Sequence, residues 1–183
     1  VLVRGAVDGT IGRVWVPQLG NSSYCLIVVG DFAYLMGLPP KGERALDLKT
    51  KIYQSAPRAY IYPQNGRWED WLEEEFMGQT RLVSRYALRK DEHHFDSGLL
   101  KQYIESVPKG IRIKRIDDRL YHQALKEEWS RDLCANFEDE KHFQEKGFGY
   151  VALKGRELVA GCSAYGASEG MMEIEVDTRK DFR

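Results

Sequence analysis

The sequence has little of what builds a metal or disulfide site. Its three cysteines, Cys25, Cys134 and Cys162, form no CxxC pair and lie far apart. An odd number without ligand spacing argues against a disulfide framework or a zinc site. Of the four histidines, His93 and His94 are adjacent and point in different directions on either a helix or a strand, so one ion cannot easily use both. His122 and His142 pair with nothing at ligand spacing and read as ordinary surface or half-buried residues. No metal is expected. There is no apolar run approaching the roughly 20 residues of a membrane span and no basic leader with an apolar stretch behind it. The expectation is a cytoplasmic protein with no membrane partner. Nor does one charge sign dominate: 27 Lys and Arg face 28 Asp and Glu, balanced along the chain, for a net charge of −1. That leaves no electrostatic footprint for nucleic acid.

What is present suffices for a packed interior. Hydrophobic residues make up 43% and aromatics 11% of 183 residues, enough for one large domain or two small ones. Cys25 and Cys162 sit inside apolar strand patterns and read as small core residues.

Residues 1–100 read mainly as strands and turns. Strands are expected over 10–16, 23–29 and 32–36, the last two joined by the hairpin turn Gly30-Asp31. The apolar density of YCLIVVGDFAYLMG implies that both faces of this hairpin are covered. A helix with a thin apolar stripe is expected over 45–53, a short strand over 59–62 and a helix over 67–76. In that helix Trp68, Trp71, Leu72 and Phe76 share one side and Glu73, Glu74 and Glu75 form a wet face. Another strand is expected over 82–89, a solvated loop over 90–96, and a helix over 97–107 striped by Leu99, Leu100, Tyr103, Ile104 and Val107. Pro108-Lys109-Gly110 stops it and marks a domain boundary. Beyond it come a strand over 111–116, a helix capped by Asp117 or Asp118 and carrying Leu120, Ala124, Leu125, Trp129 and Leu133, and a second helix opened by Asn136 and Asp139 and ended by Gly147 as a C′ glycine.

Residues 147–183 organise the rest. A hairpin turns at Lys154-Gly155-Arg156, and Gly161 inside the return strand marks a bulge or a close backbone approach. A turn over 166–170 then feeds a strand over 171–178 that alternates cleanly. Met172, Ile174, Val176 and Thr178 lie on one face, and Met171, Glu173, Glu175 and Asp177 on the other. Three acids on one strand face are either a solvated outer surface or the acidic wall of a cleft. Periodicity leaves both open.

This order of elements (strand, two helices, hairpin, then a strand reading Ile174-Glu175-Val176-Asp177-Thr178 and a basic run ending in Arg183) resembles the GNAT superfamily of acyl-CoA N-acyltransferases. The GFGYV hairpin, the EIEVDT strand and the sizeable N-terminal region are together similar to the zwittermicin A resistance-type branch. The fold the resemblance implies is α+β (mixed α/β). Residues 109–183 would form the N-terminal half of a GNAT core, a mixed sheet with flanking helices. Residues 1–108 would form a smaller, degenerate GNAT-like α/β domain. In the family the fourth strand leads into a loop of pattern R/Q-x-x-G-x-G/A whose amides hold the CoA pyrophosphate. Arg183 falls at its first position, and the expectation is that the sequence stops just before the rest, with the C-terminal half of the core missing.

The resemblance also implies an activity: acetyl transfer from acetyl-CoA to a primary amine of a small molecule, such as an amino-containing antibiotic or a polyamine. Glu175 or Glu173 would accept the amine proton, with Glu175 preferred. Ile174, Val176, Asp177, Thr178 and Arg183 would hold the cofactor, and Trp129 and Phe143 on the two helices would line the acceptor site. Helical spacing alone places both aromatics more often in a core. The other reading is a non-catalytic GNAT-like module that binds a ligand or partner.

Overall fold

The computed structural model describes residues 1–56, 58–86 and 95–183. Two four-stranded sheets organise them. The first holds β1 (Arg13–Trp15), β2 (Tyr24–Val29), β3 (Phe32–Gly37) and β4 (Tyr60–Pro63) in that order, antiparallel except for the parallel pair β3 and β4. The second holds β5 (Ile111–Arg115), β6 (Gly149–Lys154), β7 (Glu157–Ser168) and β8 (Met171–Thr178), wholly antiparallel. The helices are α1 (Leu2–Val7), α2 (Glu43–Ser55), α3 (Gly66–Phe76), α4 (Ser97–Glu105), α5 (Asp118–Ala124) and α6 (Glu140–Lys146). The chain is therefore of mixed α+β class.

The β2–β3 hairpin is covered on both sides, as its apolar density implies, and strand periodicity divides the coverage. Leu26, Val28, Ala33 and Leu35 pack against Trp68, Trp71, Leu48 and Ile52 of α2 and α3. Ile27 and Val29 belong instead to a core shared with the second sheet, where they meet α1, Leu120 and Phe143 of α5 and α6, and Val151, Leu153 and Tyr165 of β6 and β7. The two sheets thus face one buried layer.

Several elements differ from the sequence expectation. The first strand shrinks to three residues because Gly12, at φ 67°, turns the chain just before it. Helix α1 was not foreseen. Its valines and central glycine are poor helix formers, but a Cβ at Gly5 would lie 2.8 Å from Ile11 Cγ1 and 2.9 Å from the Ala167 carbonyl oxygen. The close approach to β7 forms this helix, not its propensity. Residues 82–86 carry no strand, and the remainder of the strand expected over 82–89, with His93 and His94, lies outside the described residues. Helix α4 forms, yet none of its residues is buried.

Helix α5 ends at Ala124, and Leu133 arrives on a separate 3-10 turn, Arg131–Leu133. Asp117 caps α5 through Leu120 N–H at 2.8 Å, and Asp139 caps α6 through His142 N–H at 2.7 Å. Gly147 is extended (φ −122°), not left-handed. It is small because a Cβ there would lie 2.7 Å from the Phe137 ring. The β7–β8 turn is two residues, Glu169 and Gly170, both at positive φ as a tight right-twisted hairpin requires. Cys162 is exposed rather than core, Cys25 is half-buried and Cys134 is buried.

Candidate active site

The alternation along β8 is as expected, but its orientation is unusual. The apolar face is the open one: Ile174 is 68% and Val176 65% exposed, beside exposed Cys162 and Tyr150 of the neighbouring strands. The acidic face turns inward. Glu175 and Asp177 are half-buried, while Glu173 stays exposed at the end nearer the turn. One edge of β8 is laddered to β7 along its length, with Glu175 opposite Ser163 and Asp177 opposite Gly161. Among the described residues its other edge pairs with no strand.

Two close approaches bring further carboxylates to this face. Gly161 admits Leu133 so closely that a Cβ there would lie 2.4 Å from Leu133 Cδ1. The Ser163 hydroxyl donates to the Leu133 carbonyl and fastens the 3-10 turn beneath the sheet. Asp132 rides on that turn. From the first sheet comes Asp31, at the tip of the β2–β3 hairpin. Its N–H donates to the Tyr165 hydroxyl at 2.9 Å, and Asn136 Nδ2 donates to the Tyr165 carbonyl at 2.9 Å. Gly30, at φ 53°, is obligatory here, since a Cβ would lie 2.0 Å from Tyr165 Oη.

The electrostatics follow from this convergence. Burial pushes the Glu175 carboxyl above its ordinary value, and the charges of Asp132, Asp177 and Asp31 push it further. Asp132 is raised too, by burial and then by Asp31, although its side chain reaches solvent. Tyr34 is pushed up to about 12 by burial, then by Tyr62 and by the charge of Glu173. A partly buried carboxyl raised by its neighbours marks this strand face as a candidate functional site.

The other residues singled out by sequence fall in different settings. Asp177 pairs with Arg183 at 2.8 Å, and Arg183 Nε donates to the Thr178 carbonyl at 2.8 Å, so the last turn of the chain folds back on β8. Trp129 is half-buried against the shared core, its Nε1–H on Glu127 at 2.9 Å. Phe143 is fully enclosed, edge-on to Phe137 at 5.1 Å. His122 is exposed, 3.6 Å from Glu140. Asp31, Asp132, Asn136 and Tyr165 escaped the sequence reading. Asp31 read as a turn residue and Asn136 as a helix start, and Asp132 and Tyr165 carry no local signal of a site. Two hollows, of about 300 and 490 Å³, lie at the opposite edge of the second sheet against Arg112 and Arg115 of β5. They are far from this chemistry, and we place the site at β8 on the convergence of side chains. Among the described residues no group of side chains is arranged to hold a metal ion, and no helix is long and apolar enough to cross a membrane.

An antiparallel sheet whose last strand turns carboxylates inward beside two short helices fits an acyltransferase scaffold. The sequence profile of the GNAT acetyltransferase family matches residues 1–183, and the chain belongs to that family. It is similar to a solved GCN5-related N-acetyltransferase-like protein from Streptococcus suis. The identity is 34% and the TM-score 0.84, over 100% of this chain and 71% of that one. It is also 22% identical over 136 residues to an uncharacterized N-acetyltransferase, YdfB, of Bacillus subtilis, a match covering 71% of this chain and 47% of that protein. The chain thus spans about half the length of the curated relative.

Proposed function

We propose that this chain carries the catalytic strand of an acetyl-CoA-dependent N-acetyltransferase acting in the cytoplasm on a primary amine of a small molecule, an amino-containing antibiotic or a polyamine. The observation that carries the reading is the inward acidic face of β8, with Glu175 raised toward neutrality among Asp132, Asp177 and Asp31. An alkylammonium with a pKa near 10 has no lone pair at pH 7. Glu175 accepts its proton, directly or through one water, with Glu173 as the other candidate. The amine nitrogen then bonds the thioester carbonyl carbon, the C–S bond breaks, and the nitrogen's second proton passes to the departing thiolate, so CoA leaves as the thiol. Acetyl-CoA supplies the activated acyl group.

The unpaired edge of β8, at Ile174 and Val176, offers N–H and C=O groups to the pantetheine arm and to the carbonyl as it becomes tetrahedral. Asp177, Thr178 and Arg183 continue that edge toward the pyrophosphate. Trp129 borders the acceptor, and Phe143 supports it from within the core. Residues 1–108 and 109–183 act as two units, the first lending Asp31 to the site of the second.

Calorimetry of the full-length protein with acetyl-CoA tests this. Binding in the micromolar range followed by acetylation of an added amine is expected, and no binding overturns it.

A further inference from the structure

The shared core leaves one feature that acetyl transfer does not explain. Phe32 and Tyr34 of β3 project toward the second sheet, and their register partners on β4 are Tyr60 and Tyr62. Parallel pairing stacks the rings: Phe32 on Tyr60 at 5.8 Å and 27°, and Tyr34 on Tyr62 at 5.0 Å and 21°. Aromatic ladders of this kind ordinarily belong to a core, yet Tyr60 is 45% and Tyr62 37% exposed. The platform is not empty. The Arg85 guanidinium lies 5.0 Å over the Phe32 ring and 5.2 Å over the Tyr60 ring, with Nη1 3.5 Å from the Tyr62 hydroxyl. That is the geometry by which aromatic faces take a cation.

The platform adjoins the acidic wall. Phe32 stands edge-on to Tyr165 at 5.5 Å, and the Tyr165 hydroxyl is the group that accepts from Asp31 N–H. The charge of Glu173 reaches Tyr34.

We propose that Phe32, Tyr34, Tyr60 and Tyr62 form a second, cation-binding subsite of the acceptor cleft, that Arg85 sits there as an internal stand-in, and that the acceptor bears a second positive group, guanidinium or ammonium, besides the reacting amine. The use of this subsite in turnover rests on the acetyltransferase reading; its binding of a cation does not. Two features select a dication. Carboxylates on β8 and at Asp31 attract one charge, and the π-face joined to them through Tyr165 holds the other. A neutral or singly charged amine satisfies only half of the cleft. Arg85 belongs to an exposed stretch outside any helix or strand. Exposed cation–π contacts are weak, so a ligand cation displaces it readily.

The test is calorimetric titration of the full-length protein with agmatine, 1,4-diaminobutane and 1-aminobutane. The two dications are expected to bind at least about tenfold more tightly than the monoamine, since ion pairing and the π-face then add. Tyr60→Leu should lower the dication-to-monoamine affinity ratio by about threefold to tenfold, and Arg85→Ala should raise it by a similar factor. Arg85 is exposed and outside any helix or strand, so Arg85→Ala decides the matter even if Tyr60→Leu perturbs folding. A ratio that neither variant moves overturns the subsite. Lost acetyl-CoA binding with the agmatine preference intact sinks the enzyme reading alone. Normal acetyl transfer with no dication preference sinks the subsite alone.

Discussion

Replacing Glu175 by Gln removes one negative charge from a strand face where three other carboxylates gather, while keeping the shape and one acceptor oxygen. Asp177 is paired with Arg183 at 2.8 Å and Asp132 feels the neighbouring Arg131, so the repulsion on Glu175 from Asp132, Asp177 and Asp31 is partly offset. Glu175 is only half-buried, so solvent screens each pair to a few tenths of a kcal/mol, about 0.5–1 kcal/mol in all. The sign is set by the raised carboxyl. A group whose folded pKa lies above its unfolded value contributes stability that is present at low pH and lost as pH rises through the folded value. Below the ordinary carboxylate value of 4.5 Glu175 is protonated and electrostatically equivalent to Gln, so that contribution to the stability difference vanishes. Above it, Glu175→Gln should become the more stable protein. By pH 8 its thermal midpoint should lie about 2–4 °C higher for each kcal/mol gained. Salt should shrink the gain. Turnover should move the other way, falling by about a hundredfold or more when a general base is lost. Scanning calorimetry from pH 4 to 8 at two ionic strengths, with acetyl-transfer rates alongside, checks both halves. A stability difference that is flat across pH refutes the like-charge reasoning. A variant with full turnover at neutral pH removes Glu175 as base and leaves Glu173 to be tested.

Gly30→Ala places a Cβ against Tyr165 Oη in a left-handed backbone position and should cost about 2–4 kcal/mol by urea unfolding, whereas Tyr165→Phe, which removes the hydroxyl's contacts with the Asp31 N–H and the Asn136 side chain, should cost about 1–2 kcal/mol. If Gly30→Ala is neutral, the hairpin tip is not clamped where the site requires it. Trp68→Ala empties a fully buried site under the first sheet and should cost about 3–5 kcal/mol, visible as a lower denaturation midpoint. In the native chain Ellman's reagent should label exposed Cys162 more slowly than a free thiol, because burial and then the Glu175 charge raise its pKa. Cys134, pushed up to about 12 by burial, should react only on unfolding. Glu175→Gln should speed the Cys162 reaction, and an unchanged rate would separate the two groups.

Periodic elements were the legible part of the fold. The β2–β3 hairpin, α3 and β8 follow from alternation and helical spacing to within a residue or two, because each period fixes which residues share a face. The GNAT family was likewise readable from the order of elements around Ile174-Glu175-Val176-Asp177-Thr178. Elements held by approach rather than propensity were not. Helix α1 exists because Gly5 lets it lie on Ile11 and Ala167, and Gly147 is dictated by the Phe137 ring, not by a cap. Helix α4 has the expected stripe, but none of its residues is buried.

The site divides in the same way. Sequence determined that Glu173, Glu175 and Asp177 share one side of a strand and Ile174 and Val176 the other, since the side-chain period of a strand is two. It did not determine which side faces inward. Hydrophobicity alone buries the apolar face, and the molecule exposes it. Tertiary structure alone decided that the acids turn toward Asp132, Asp31 and the tyrosines of the first sheet. Those partners sit tens of residues or more away in the chain, and only the clamps at Gly161–Leu133 and Asp31–Tyr165 bring them to β8. A strand's own residues encode its two faces, whereas the choice between them belongs to whatever packs against it.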